Sequence, residues 1–287
     1  MSFCARSAVP GYEAERSRLQ RAGSWYPDPM LQPPATIRAV TFDVTHTLIH
    51  CPRLGEIYAE VLGRHGVRVE PAEAARLVRL VWQELACVAD PGRDRFTSHP
   101  EGPPGWWKRF LERVCEHLEA PPPSRFAAAE LFARFGRADS WEVYPDVPET
   151  FAALRARGLR LGVISNWDPR LPDVLDGLGL TPSLDAVVYS SAVGAEKPDR
   201  RIFESALRSL GIPGITAGEA LHVGDGRLED VEGAQAVGMH ALHLTRGRGA
   251  GDLRSLAQLP QSLAGLAGLA GQAETPEGRL AGPRVLD

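Results

Sequence analysis

The sequence predicts an α/β fold: a buried parallel sheet carrying a four-helix insertion after its first strand. Three observations predict it. Short apolar runs recur along the chain, each followed by helical periodicity, and strands alternating with helices imply crossover connections. These runs are continuously apolar, as strands covered on both faces are. From about Leu54 to Phe135 there is no strand pattern, only helical spacing interrupted by Pro100–Pro104 and Pro121–Pro123.

Each element follows from its own residues. "TIRAVTF", Thr36–Phe42, is β-branched and apolar and ends at Asp43. The insertion reads as four helices, in "LGEIYAEVLGRHG", "AEAARLVRLVWQELACVA", "WWKRFLERVCEHL" and "SRFAAAELFARF". Strands are then expected at Leu159–Ser165, Leu184–Ser190, Glu219–Gly224 and Met239–Leu244. Helices are expected at Val147–Arg157, Arg170–Gly177, Arg200–Leu210 and Leu228–Val237. Leu253–Gly271 predicts a last helix, interrupted at Pro260. The expected organisation is a disordered extension at 1–35, a sheet core from 36–51 and 141–271, the helical insertion at 52–140, and a disordered tail at 272–287.

Composition narrows the function classes. The 287 residues are 44% hydrophobic, enough for a substantial core, and the formal net charge of −4 gives no nucleic-acid footprint. No apolar run reaches the ~18 residues of a membrane helix. The four cysteines lack paired spacing, which argues against a disulfide framework or a structural zinc site and for an intracellular compartment. The cytoplasm is the expected location, with nucleus and mitochondrion left open. Residues 1–35 contain Glu13 and Glu15 and lack an apolar segment, unlike a targeting peptide. The sequence does not fix the oligomeric state.

In open α/β sheets, ligands bind beyond the carboxyl ends of the strands. Those ends carry Asp43, then Ser165 and Asn166 in "VISNWD", then Lys197 in "AEKPD", then Asp225, Glu229 and Asp230 in "HVGDGRLED". Phosphoryl transfer uses such a set. A carboxylate, Asp43, can attack phosphorus and split one hard step into two. Lys197 offsets negative charge, and Ser165 and Asn166 donate to phosphoryl oxygens. Mg²⁺ takes hard oxygen ligands, here Asp43 and Asp225, with Asp230 acting through water. Gly224 and Gly226 permit a tight turn at the metal.

"FDVTHTL", "VISN", "KPDRRIF" and "VGDGRLEDVEGAQAVGM" resemble, in order, the four motifs of the haloacid dehalogenase superfamily of hydrolases. The resemblance covers about Arg38 to Leu244. It implies a Rossmann-like core, a helical cap inserted after the first strand, magnesium as cofactor, and the roles above for Asp43, Ser165, Lys197, Asp225 and Asp230. It also implies a phosphatase acting on a small phosphorylated metabolite through an aspartyl-phosphate.

One position departs from that pattern. Phosphatases of the superfamily carry a second aspartate two residues after the nucleophile, as acid and then base, and Thr45 stands there. A hydroxyl cannot do that work, and loss of a general acid–base costs ~10²–10⁴ in rate. The Thr45 carbonyl can still bind metal. The phosphorylation half-reaction is therefore expected to outlast the hydrolytic one. The alternative is a catalytically impaired phosphoryl-binding or regulatory protein. Carbon–halogen hydrolysis ranks last, because Asp225 and Asp230 would repel a carboxylate substrate.

The remaining candidates are expected to be structural. His46 is next to Thr45 but points elsewhere. Thr47 holds the loop by hydrogen bonding. His222 is a satisfied core histidine, Asp168 caps the following helix, and Glu229 faces solvent. Trp106 and Trp107 fill the insertion or its seam with the sheet rather than line a pocket.

Overall fold

The computed structural model describes residues 36–87, 92–247, 249–265 and 284–285. The expected extension at 1–35 lies outside them, as does most of the expected tail. The central sheet is parallel throughout. It contains β1 (Ala39–Phe42), β4 (Arg160–Ser165), β5 (Ala186–Tyr189), β6 (Ala220–Gly224), β7 (His240–His243) and β8 (Arg284–Val285), in the order β7-β6-β1-β4-β5-β8. The expected α/β class with a parallel sheet is thus the observed one. Buried side chains cover both faces, as the continuously apolar strands require.

Between β1 and β4 the chain leaves and re-enters the sheet through a short antiparallel ribbon, β2 (Ile49–His50) on β3 (Glu142–Val143). Two residues per strand are too few to show a period, so the sequence did not announce this ribbon. Its far side carries α1 (Leu54–Arg64), α2 (Pro71–Cys87), α3 (Gly102–His117) and α4 (Arg125–Phe135), which pack around their own buried cluster. Ser124 caps α4, accepting from the Ala127 amide at 3.1 Å.

Several boundaries differ from expectation. β1 begins at Ala39, three residues late. The helix expected at Leu228–Val237 is a π-helical turn, Arg227–Glu232, running into a short α-helix, Gly233–Ala236. Pro260 sits in the first turn of Leu259–Gly265, where its missing N–H costs nothing, rather than interrupting a helix. Arg284–Val285 pairs with β5 inside the segment expected to be disordered. Backbone pairing on an open sheet edge leaves little compositional trace.

Candidate active site

The order of strands reverses between β1 and β6, and a ligand crevice is expected at such a point. Register sets its floor. Phe42 lies level with Val163 and Val223, so Asp43, Ser165 and Asp225 leave the sheet at one rim. The Asp43 amide still donates to the Val223 carbonyl at 2.9 Å, which fixes the carboxylate where β1 ends. Beyond it the chain folds back tightly. Leu48 N donates to Val44 O at 2.8 Å and His46 N to Ile49 O at 2.7 Å, with His46 in the left-handed region at φ 63°.

Asp43 Oδ1 accepts from Ser165 Oγ at 2.9 Å and from Lys197 Nζ at 2.7 Å, and the same ammonium reaches Asp230 Oδ1 at 2.5 Å. All four residues are buried. Burial opposes the Lys197 charge, but Asp230 and Asp43 outweigh it and hold the ammonium above its ordinary value. Burial likewise opposes the Asp230 charge, but Lys197 and then His222 hold that carboxyl well below the usual range.

Asp230 is further fixed by its second oxygen, which accepts from Gly226 N at 2.8 Å, and by His222 Nε2, 3.1 Å from Oδ1. An ionised carboxylate only accepts, so the His222 Nε2–H donates to Asp230, while Nδ1 hydrogen-bonds with Thr41 Oγ1 at 2.9 Å. The satisfied histidine thus also supports the site. Gly224 is needed for this arrangement, because a Cβ there would lie 2.2 Å from the Asp230 side chain.

Asn166 is brought to the rim, but its amide already serves Lys197. Its Oδ1 accepts from Lys197 N at 2.7 Å and its Nδ2 donates to Lys197 O at 3.2 Å. It therefore positions the lysine loop. Thr45 Oγ1 accepts from Trp167 Nε1 at 2.9 Å.

Asp43, Asp225 and Asp230 each offer a carboxylate oxygen, all within 4.8 Å of one another. Asp225 is exposed to the cleft, yet protein walls surround it. That enclosure, then Asp43 and Asp230, push its carboxyl well above its ordinary value. The Lys197 ammonium pairs with two of these three carboxylates, and that donor set and charge excess fit a divalent cation.

The rim opens into a cavity of about 420 Å³ whose walls come from both the strand-end loops and the helical segment. Glu229, expected in solvent, lines it, and burial raises its carboxyl. His46 lines it too, its imidazole held below its ordinary value first by burial. The tryptophan pair divides. Trp106 is in the helical core, whereas Trp107 lines the cavity and donates to Asp168 Oδ2 at 2.7 Å. Asp168 does not cap the next helix as expected: the N-cap of Leu171–Gly177 is Arg170, with no side-chain cap bond, and Asp168 instead accepts from Arg170 N at 3.1 Å and clasps the Arg170 guanidinium. Thr47 departs from expectation. Its Oγ1 is buried without a partner among the described residues, and its carbonyl, not its hydroxyl, ties the loop down by accepting from Arg246 Nη2 at 2.6 Å.

The sheet order, the carboxylate at the end of β1 and the lysine–aspartate pair facing it define a hydrolase of one recognisable class. The sequence model for haloacid dehalogenase-like hydrolases matches residues 37–238, and the chain belongs to that family. It is 36% identical over 210 residues to haloacid dehalogenase-like hydrolase domain-containing protein 3 of Mus musculus, covering 71% of this chain and 80% of that protein. It is 30% identical over 215 residues to a glyceraldehyde 3-phosphate phosphatase of Methanopyrus kandleri, covering 74% and 85% respectively. The crystal structure of a HAD phosphatase from Thermococcus onnurineus superposes with a TM-score of 0.55 at 26% identity, covering 80% of this chain and 99% of that one. Among the described residues no helix is long and apolar enough to cross a membrane.

Proposed function

We propose that the chain is a magnesium-dependent phosphatase of a small phosphorylated metabolite, with Asp43 as nucleophile and a slow second half-reaction. The reading rests above all on the Lys197 ammonium bridging Asp43 and Asp230. Asp43 Oδ1 is occupied by Ser165 and Lys197, while Oδ2 has no protein donor among the described residues. The carboxylate attacks phosphorus, the bond to the leaving oxygen breaks, and an aspartyl-phosphate remains on Asp43. Lys197 stays protonated throughout and balances the charge that gathers on the phosphoryl oxygens. Ser165 can turn its hydroxyl from Asp43 to one of those oxygens.

Mg²⁺, held by Asp43, Asp225 and the Thr45 carbonyl, with Asp230 acting through water, would supply charge neutralisation and orient the phosphoryl group. The 52–140 segment acts as a cap that closes over the substrate and excludes water. At position 45 no carboxyl is available to protonate the leaving oxygen or later to activate water.

The engaged Thr45 hydroxyl also favours a second reading, a phosphoryl-binding protein with little turnover. Incubation with a panel of phosphomonoesters, with and without Mg²⁺, separates the two when phosphate release and hydroxylamine-labile protein phosphorylation are followed together. Mg²⁺-dependent release that disappears in Asp43→Asn supports the phosphatase. A labelled protein that releases phosphate slowly fits the phosphatase with its slow second half-reaction, whereas neither label nor release supports the second reading.

A further inference from the structure

We propose that the cavity beside Asp43 selects a phosphomonoester whose leaving group is flat and apolar, aromatic in the simplest case, with an acidic group at its far end. The inference rests on the phosphatase reading for its orientation. The cavity, about 420 Å³, is within the ~300–1,000 Å³ typical of pockets that enclose a molecule of some twenty heavy atoms. A three-carbon phosphate would leave much of it to water.

Much of its wall is aromatic, and three of the indole N–H groups there are already engaged. Trp107 donates to Asp168 at 2.7 Å, Trp141 to the Phe135 carbonyl at 3.0 Å, and Trp167 to Thr45 at 2.9 Å. With their N–H groups committed, these indoles offer ring faces and edges and no donor for a sugar or polyol hydroxyl. Trp141 and Trp167 lie 5.3 Å apart beside the reaction centre, and Trp82 stacks on Trp107 at 6.1 Å on the helical side. Burying hydroxyls against such walls without partners is costly, whereas a planar apolar body fits them.

One strong charge lines the cavity from its helical side. Arg79 and Gln83 are one helical turn apart on α2 and line the cavity together with Trp82. Among the described residues Arg79 has no carboxylate partner, although the other lining arginine, Arg170, is clasped by Asp168. A guanidinium without a partner at a pocket wall is suited to a carboxylate or a second phosphate.

The test compares kcat/KM for glycerol 3-phosphate, phenyl phosphate and 4-carboxyphenyl phosphate in the full chain with Mg²⁺. Kd values for phenylphosphonate and 4-carboxyphenylphosphonate are measured in parallel, since a phosphonate binds without being hydrolysed. The expected order in turnover is carboxyphenyl above phenyl above glycerol, by about tenfold per step, and 4-carboxyphenylphosphonate should bind about tenfold tighter than phenylphosphonate. Arg79→Ala should remove the preference for the carboxyl group, and Arg79→Lys should restore part of it. Glycerol 3-phosphate turned over as well as the aryl esters overturns the inference and leaves the phosphatase reading intact. Equal loss for both aryl ligands in Arg79→Ala overturns the acidic-group part. If no ester is hydrolysed and Asp43 is never labelled, the phosphatase reading fails, and the order of phosphonate binding still decides the inference. Phosphonates that do not bind overturn it.

Discussion

The indole N–H of Trp167 is 2.9 Å from the hydroxyl of Thr45 and donates to it. The side chain at position 45 is thereby held against the loop that follows β4. A carboxylate placed there would keep Trp167 as a donor and gain a group that titrates. Thr45→Asp should therefore raise the rate of phosphate release by roughly 10²-fold or more, the lower end of what a general acid–base contributes. Rapid-quench measurement of phospho-protein decay checks it. Unchanged decay, with Asp43 labelled as before, would show that the hydrolytic step is limited elsewhere.

Lys197 is fully enclosed and serves two carboxylates at once. Lys197→Met keeps the stem but leaves Asp43 and Asp230 facing each other without a cation. Breaking a buried pair by removing one partner costs about 3–5 kcal/mol. Chemical denaturation without Mg²⁺ should show a loss of that order, and Mg²⁺ should recover part of it through the same carboxylates. Phosphate release should not recover, because the charge balance at phosphorus is gone. Full stability without metal would mean the lysine bears little of the charge balance.

Much of this site was legible because one rule decides it: polar side chains at the end of an apolar run, or in the loop that follows it, collect at the carboxyl rim of a parallel sheet. Asp43, Ser165, Lys197, Asp225 and Asp230 obey it. What the rule misses depends on local geometry. The π-helical turn at Arg227–Glu232 alters the helical phase, so Glu229 faces the cavity where ordinary spacing gave no such sign. Trp106 and Trp107 are neighbours on α3, about 100° apart around its axis, so one fills the helical core while the other reaches the cavity. Asn166 could have turned to a ligand or to its own loop, and only in the folded chain is it seen to hold Lys197. Arg246 acts 199 residues away in sequence from the loop it ties, a distance at which pattern carries no signal.

His222 connects the sheet interior to the site, with Thr41 on one ring nitrogen and Asp230 on the other. His222→Leu preserves bulk but removes both hydrogen bonds. Leaving such buried groups unsatisfied costs about 1–3 kcal/mol. Freed from its support, Asp230 should also weaken the apparent affinity for Mg²⁺ by about 10- to 100-fold, the range seen when partners of metal ligands are removed. Mg²⁺ titration of activity reads the second effect and denaturation the first. His222→Gln, which can still donate, should recover part of the Mg²⁺ affinity. A variant that loses stability but keeps its Mg²⁺ dependence would confine His222 to the core.

Asp146 and Arg246 predict a pH dependence located away from the reaction centre. Asp146 Oδ2 accepts from Arg246 Nη1 at 3.0 Å, Ser255 Oγ at 2.6 Å and Leu256 N at 2.7 Å. The guanidinium also packs over the Tyr144 ring at 3.7 Å and binds the Thr47 carbonyl, so it joins the loop after β1 to the C-terminal segment. Burial raises the Asp146 carboxyl, but Arg246, Ser255 and the Leu256 amide together hold it below its ordinary value. A carboxyl lowered on folding contributes stability in full above its unfolded pKa, ~3.9, and loses it as pH falls through the folded value. Arg246→Met should therefore cost roughly 2 kcal/mol at neutral pH, because Asp146 stays ionised with its main counter-charge gone. The difference from the parent should shrink below about pH 4, where Asp146 is protonated in the variant and increasingly so in the parent. Denaturation midpoints of the two proteins between pH 3 and pH 8 measure it. A gap constant across that range would assign the loss to the guanidinium's packing on Tyr144 rather than to its charge.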